Sequence, residues 1–210
     1  MTLATKAELR TDVAAWLNRA NDPDFAARFD SFLALCEADF GPQIRTPVTE
    51  RRLTAPLNER WEKNPAGTNQ IRSVAILNGD NYQNPALTYL SYQEAIKVYG
   101  ASGTTPVAAY TIVGEQIGFF PAPKTNSSST LSFEIIAYVR PDPLVDDDDD
   151  NEILVTYPGI YLWGTLLQSA DYYGRSEDKG LWGQSYQAAL TEATKEADTM
   201  PGDVILQRIG

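Results

Sequence analysis

Apolar residues recur at helical spacing near the start of the chain. Thr5 and Glu8 have the spacing of a helix-capping box, and one apolar face follows them up to Ala20. Asp22 and Pro23 are typical of the start of a second helix. The apolar positions of this second helix are Phe25, Phe29, Phe32, Leu33, Cys36 and Phe40. Because each helix has one apolar face, we expect the two helices to pair.

The pattern changes between positions 45 and 139, where short runs of β-branched and aromatic residues are separated by Pro, Gly and Asn. Such a pattern is typical of short strands joined by turns. The predicted strands cover 48–54, 71–77, 108–113, 116–120 and 131–138. A hairpin turn is expected at 113–116. A short helix is expected at 91–98, with an apolar face that contains Tyr92, Ala95, Ile96 and Tyr99.

Helical spacing returns at Thr156. The apolar residues that follow, up to Gly174, cover most of the helix circumference, which predicts a helix at the centre of the fold. A last helix, capped by Ser176, has an apolar face that contains Trp182, Tyr186, Ala189, Leu190, Ala193 and Ala197. Pro201 and Gly202 end this helix, and a short apolar tail follows.

These elements predict an α+β fold that is mainly an α-helical bundle of four helices, with an inserted β-rich segment and a short C-terminal tail. The two N-terminal and two C-terminal helices are expected to bury their apolar faces against each other. The predicted domains are therefore 1–44 with 156–200 as one bundle, 45–155 as the inserted β-rich region, and 201–210 as the tail.

The composition argues against the commonest kinds of catalysis. The chain has no histidine and a single cysteine, Cys36. It therefore lacks the imidazole base of serine and cysteine hydrolases and cannot form an internal disulfide. Its sequence also contains no glycine-rich phosphate-binding motif and no carboxylate pair that stands out as an acid and a base. We therefore expect no enzyme activity, no cofactor and no catalytic metal.

The net charge of −11 is concentrated in one segment. Its centre consists of five consecutive aspartates, Asp146, Asp147, Asp148, Asp149 and Asp150. Contiguous acids repel one another and lack the ligand spacing of an EF-hand. A solvated mobile loop, an ion site and a loop that docks on a basic partner all remain open. The charge argues against a nucleic-acid surface built on positive potential.

Two further features have two interpretations each. The tail contains Val204, Ile205, Leu206 and Ile209, which either dock on a partner or pack against the chain's own helices. Trp61 lies in a polar stretch without periodicity, where its ring either stacks on a partner or covers the base of the β-rich region. The other tryptophans, Trp16, Trp163 and Trp182, are expected in the core.

No segment has the apolar run of a signal peptide or the length of a membrane span. The sequence therefore predicts neither secretion nor membrane insertion. One cysteine is also what we expect of a protein that needs no oxidising compartment.

Several stretches of the chain resemble tailed-phage head–tail adaptor proteins, and together they cover most of its length. They are the helix with Leu9, Trp16 and Leu17, the segment 29–38, the hairpin 106–123 with Pro121 and Pro123 at its end, the strand 134–141, and the helix pair 157–167 and 182–190.

This resemblance implies a structural protein of the virion neck that is made in the host cytoplasm. Copies would form a closed cyclic ring with their neighbours under the portal protein. The ring would continue the DNA channel without sequence-specific DNA binding and offer a surface to the next tail or stopper protein. The resemblance implies that the apolar tail docks on the portal. Aspartates near the lumen would repel DNA and help it slide.

Other functions also fit the sequence. One is a β-rich module that binds a carbohydrate or a protein. Another is a different neck or stopper ring protein, which should be dominated by a β barrel. A metal-dependent enzyme that uses the aspartates is a third.

Overall fold

A computed structural model describes residues 3–79, 81–84, 86–100, 106–123 and 131–198. Packing divides the chain into two compact units. The helical unit comprises 1–49 and 140–210, and the β unit comprises 50–139.

Within the described ranges, both units are built from regular elements. The helices are α1 (Lys6–Trp16), α2 (Pro23–Phe40), α3 (Tyr92–Tyr99), α4 (Glu152–Thr156), α5 (Pro158–Ser169) and α6 (Lys179–Asp198). The strands are β1 (Glu50–Pro56), β2 (Trp61–Lys63), β3 (Thr68–Asn78), β4 (Asn81–Asn84), β5 (Thr88–Tyr89), β6 (Ala109–Val113), β7 (Gln116–Phe120) and β8 (Leu131–Val139). None of these helices is long and apolar enough to cross a membrane.

The two N-terminal helices begin where the sequence predicts. Thr5 Oγ1 accepts a hydrogen bond from Glu8 N at 3.3 Å, and the Asp22 carboxylate accepts one from Asp24 N at 2.9 Å. Each bond satisfies a backbone donor that the first helical turn leaves open. All the predicted apolar positions of α2 are buried, which confirms that stripe.

Helix α5 lies at the centre of the helical unit, as its apolar circumference predicts. It packs against α1, α2, α4 and α6. The last helix, α6, begins at Lys179 rather than next to Ser176, so the predicted cap is wrong. Its predicted apolar face is nevertheless largely confirmed. The buried residues of that face are Trp182, Tyr186, Leu190 and Ala193.

The β unit contains two sheets that share one core. In the described residues the strand orders are β1-β8-β3-β4 and β2-β7-β6-β5. The long strands β3 and β8 run antiparallel, and β6 and β7 form the predicted hairpin. The shared core contains Val74, Ile76, Phe133 and Ile135 from the first sheet and Tyr110, Ile117 and Phe119 from the second.

Helix α3 packs beside the second sheet of the β unit. Ser91 and Glu94 form a complete capping box at its start, and Gly100 ends it with a φ of 66°. Ala95 is the buried contact of this helix and packs with Ala109 and Phe120. The predicted short helix is therefore confirmed.

The predicted architecture, a mainly α-helical bundle of four helices with an inserted β-rich segment, is wrong. Helices and strands are both present, but the described residues form six helices and two sheets of four strands each. The reason is physical. An amphipathic helix shows its periodicity locally, whereas a sheet is assembled from strands far apart in the chain, such as β1 and β8.

Candidate partner-binding surfaces

The acidic segment, residues 146–150, forms a turn that is bonded to the first turn of α1. Lys6 N donates to the carbonyl oxygen of Asp149, and Ala7 N donates to that of Asp147, both at 3.0 Å. These amides are among the backbone donors that a helix leaves unpaired at its N-terminus. The segment is therefore part of the framework of the helical unit rather than a free loop.

Two side chains of α1 strengthen this attachment. The ammonium of Lys6 donates to the carbonyl oxygen of Val145 at 2.5 Å and pairs with Asp30 at 2.9 Å. Lys6 is buried, so its charge needs such partners to offset the cost of desolvation. Arg10 forms an ion pair with Asp147. Both cations lower the repulsion within the acidic segment.

The aspartates of the segment have different environments. The Asp149 carboxylate accepts hydrogen bonds from Asp146 N and Val145 N, each at 2.7 Å. These backbone bonds hold the pKa of Asp149 below its usual value, because they favour the charged form. The aspartates of the segment that are exposed and not part of this attachment are Asp146, Asp148 and Asp150.

The ion-site interpretation of the segment gains no support from the geometry. Over the described ranges, no three Cys, Asp or Glu side chains converge in a way that could hold a metal ion. Asp149 Oδ2 instead accepts two amide hydrogens.

A second polar cluster, the Glu37 clamp, consists of Glu37, Tyr161 and Asn151. Tyr161 OH donates to Glu37 Oε1 at 3.1 Å and accepts from Asn151 Nδ2 at 2.6 Å. Glu37 Oε1 also accepts from Leu144 N at 3.0 Å. Asn151 Oδ1 accepts from two amides in the first turn of α4, at 3.1 and 2.9 Å. The clamp therefore joins α2, α5 and α4 to the segment that follows β8.

Burial sets the electrostatics of this clamp. It raises the pKa of Glu37 above the usual glutamate value, although the bonds from Leu144 N and Tyr161 OH act in the opposite direction. Burial also raises the pKa of Tyr161, so its phenol stays protonated and can donate. This cluster was not predictable from the sequence, because Glu37 and Tyr161 are far apart in the chain. Its only local signal is Asn151, a preferred N-cap residue.

Trp61 lies on β2 and packs across the strand pair onto β7. Its register partner there is Gly118, and a Cβ added to this glycine would lie within 3 Å of three atoms of the indole ring. The Trp61 ring is 5.8 Å from that of Tyr92 and 6.2 Å from that of Phe120, measured between centroids. The Trp61 ring therefore packs against residues of the β unit. Its contact with a partner stays a prediction.

The other tryptophans differ from one another in burial. Trp182 is buried and Trp163 partly buried, in the core of the helical unit. The prediction for Trp16 is wrong, because this side chain is 47% exposed. Trp16 is the last residue of α1, and its ring lies edge-on to that of Trp163, with centroids 5.1 Å apart. Because α1 ends at Trp16, part of the Trp16 side chain remains exposed to solvent.

The β unit has an exposed apolar patch that is not among the surfaces predicted from the sequence. We call it the α3 patch; it consists of Tyr89, Tyr92 and Ile96, which are 46%, 46% and 39% exposed. The signal was present in the apolar face predicted for α3. Ala95 of that face is buried, whereas Tyr92 and Ile96 are exposed.

The predicted tail contacts, Val204, Ile205, Leu206 and Ile209, lie outside the described residues. Their role in binding a partner stays a prediction.

An ordered acidic surface and an exposed apolar patch on two separately packed units are typical of a protein that binds other proteins in an assembly. The comparison with known families specifies the assembly. The family model of the SU10 adaptor protein matches residues 1–205. The chain therefore belongs to the SU10 adaptor protein family, a family of phage head–tail adaptors.

This result confirms the resemblance that the sequence shows. Membership of the family makes the chain a structural component of a phage virion that interacts with other virion components. Among curated proteins, none matches the chain significantly.

Proposed function

We propose that copies of this chain form a ring between the portal and the tail, in the neck of the virion, and continue the DNA channel. The observation that carries this proposal is the match to the adaptor family over residues 1–205. Ring formation, portal contact and the channel are the specific functions that the proposal adds to family membership.

A closed ring requires two different contact surfaces on each copy, one for each neighbour. A third surface must bind the portal, and a fourth the next tail or stopper protein. The α3 patch on the β unit is a candidate for one of these contact surfaces, and the acidic segment is a separate exposed surface on the helical unit. Separate exposed surfaces on the two units support a role as a subunit that contacts several partners in an assembly.

The contact with the portal is assigned to the apolar tail. Pro201 and Gly202 separate α6 from Val204, Ile205, Leu206 and Ile209. A short apolar segment of this kind can bind a groove of a partner protein as an extended peptide, with alternate side chains in pockets. This contact would anchor each copy of the ring.

The acidic segment is assigned to the DNA channel. Asp146, Asp148 and Asp150 are exposed, and the backbone of the intervening Asp147 and Asp149 is bonded to α1. A ring of such carboxylates at the lumen would repel the DNA phosphates and prevent the DNA from sticking to the wall.

The proposal is tested by mixing the purified chain with its cognate portal and imaging the complexes by electron microscopy. We expect an additional ring of density on the portal. Leu206→Asp should weaken portal binding by about tenfold or more, because it places a charge in an apolar groove. The matched control is Gln207→Asp, which adds the same charge to a polar position and should have little effect. An unchanged portal, with no added ring, would contradict the proposal.

A further inference from the structure

The net charge of the protein is divided unequally between the two units. The β unit, residues 50–139, contains seven acidic and seven basic residues, so it is neutral. The whole charge of −11 therefore falls on the helical unit. Helical units of neighbouring copies repel one another, whereas β units do not.

The neutral unit also carries an uncovered apolar surface. Tyr89 of β5 and Tyr92 and Ile96 of α3 make up the α3 patch, and each exposes more than a third of its surface. Tyr92 and Ile96 are one helical turn apart, so they are neighbours on the same side of α3. The Tyr92 ring packs against the Trp61 ring. The Tyr89 ring lies edge-on to that of Tyr110, and the centroids of these two rings are 5.5 Å apart. These contacts hold the two tyrosine rings in place, so that little side-chain entropy of the tyrosines is lost on binding.

We propose that the α3 patch is the surface on which the β unit of a second copy of this chain packs. This inference rests on the proposed ring. The charge distribution favours a second copy as the occupant: two neutral β units can meet at no net electrostatic cost, whereas contact between acidic helical units is penalised. The helical unit, with its acidic segment, is then left for partners other than the chain itself.

In a closed ring the contact is heterologous, so the patch of one copy meets a different surface of the next copy. Aromatic side chains at the centre of such an interface carry much of the binding energy. The α3 patch is therefore a determinant of ring closure, separate from the tail that is assigned to the portal.

Photo-cross-linking in assembled particles tests this contact. A benzophenone amino acid is placed at Ile96 of the full chain, or at Val98 as the control, during infection by the phage that encodes it. Val98 lies on the same helix and is 64% exposed, but it is not part of the patch. We expect position 96 to give a product of two copies of the 23.2 kDa chain. Position 98 should give much less of it.

The outcomes distinguish this inference from the proposed function. A cross-link from position 96 to another virion protein or only within its own chain, or equal yields from both positions, would overturn the contact while leaving the adaptor role in place. So would particles that contain the chain but show no cross-link. A chain that is absent from the particles would overturn both.

A charge substitution provides a second readout. Ile96→Glu should reduce incorporation of the chain into particles by about tenfold, because it buries an unpaired carboxylate in the interface. Val98→Glu adds the same charge to the same helix and should leave incorporation within about twofold of wild type. Both purified variants are compared with wild type by circular dichroism and thermal unfolding. Equal incorporation of the two folded variants would contradict the proposal.

Discussion

Gly164 of α5 lies directly against Cys36 of α2, with the cysteine Sγ in the space that a Cβ at position 164 would need. The ring of Tyr186 on α6 lies 3.0 Å from that same position. Three helices therefore meet where one residue has no side chain. Burial raises the pKa of the Cys36 thiol, so this sulfur packs as a neutral group between the helices.

Gly164→Ala should destabilise the protein by about 1–3 kcal/mol, because the added methyl group overlaps Cys36 and Tyr186. Cys36→Ala in the same chain should recover part of this loss, since it removes the overlapping sulfur. The measurement is urea unfolding of the two single variants and the double variant. Gly180→Ala is the control, because nothing lies within 4 Å of its Cβ position. If Gly164→Ala and Gly180→Ala were equally stable, the close packing described here would be wrong.

Tyr161→Phe should destabilise the protein by about 1–3 kcal/mol, because it removes the hydroxyl at the centre of the Glu37 clamp. Tyr172→Phe makes the same chemical change at an exposed tyrosine, whose hydroxyl bonds to Asp24 at 3.1 Å. That control should cost no more than about 0.5 kcal/mol. Thermal or urea unfolding gives both values. Equal losses would argue against a structural role for the clamp.

The raised pKa of Glu37 predicts a pH-dependent stability difference. The folded state holds this proton more tightly than the unfolded chain. Its stabilising effect is therefore lost as the pH rises from the usual glutamate pKa through the raised folded value. Glu37→Gln cannot ionise, so its stability relative to wild type should increase as the pH rises above the usual glutamate pKa.

The control for this pH series has the opposite sign. Hydrogen bonds from Ser91 hold the pKa of Glu94 below its usual value, so its contribution is present at neutral pH and lost in acid. Glu94→Gln should therefore lose stability relative to wild type as the pH rises through the acidic range. Urea unfolding across the series gives both trends. Parallel trends for the two variants would contradict the burial of Glu37.

Replacing Asp146, Asp148 and Asp150 with asparagine should slow DNA ejection, because it removes the exposed charges proposed to repel DNA. Asp147 and Asp149 are left unchanged, since they hold the segment to α1. The control neutralises three other exposed acids of the helical unit, Asp171, Glu177 and Glu192. Ejection is followed by the release of DNA from purified particles. The effect of the aspartates should be larger at low salt, where charges are less screened. Identical ejection by the two variants would leave the segment without a role at the channel.

The helices were largely predictable from the sequence because their signals are local. The apolar positions from Phe25 to Phe40 belong to one helix, and the Asp22 cap directly precedes it. Similarly, the hairpin turn at 113–116 and the short helix at 91–98 follow from residues that are close together in the chain. The observed bounds of each of these features lie within one residue of the predicted ones.

The sheets and surfaces were less predictable because they depend on distant residues. β2, β4 and β5 have between two and four residues each, too few to show an alternating pattern. The partners in the Glu37 clamp come from separate helices, and the attachment of the acidic segment depends on amides of α1. Nothing in the five aspartates themselves indicates that two of them would be structural.

A reconstruction of the neck of the phage that encodes this chain, by cryo-electron microscopy, tests the central claim most directly. We predict a closed ring of this chain between the portal and the next tail protein, with the DNA channel passing through it. Density of a different protein at that position, in particles from which this chain is absent, would contradict the account.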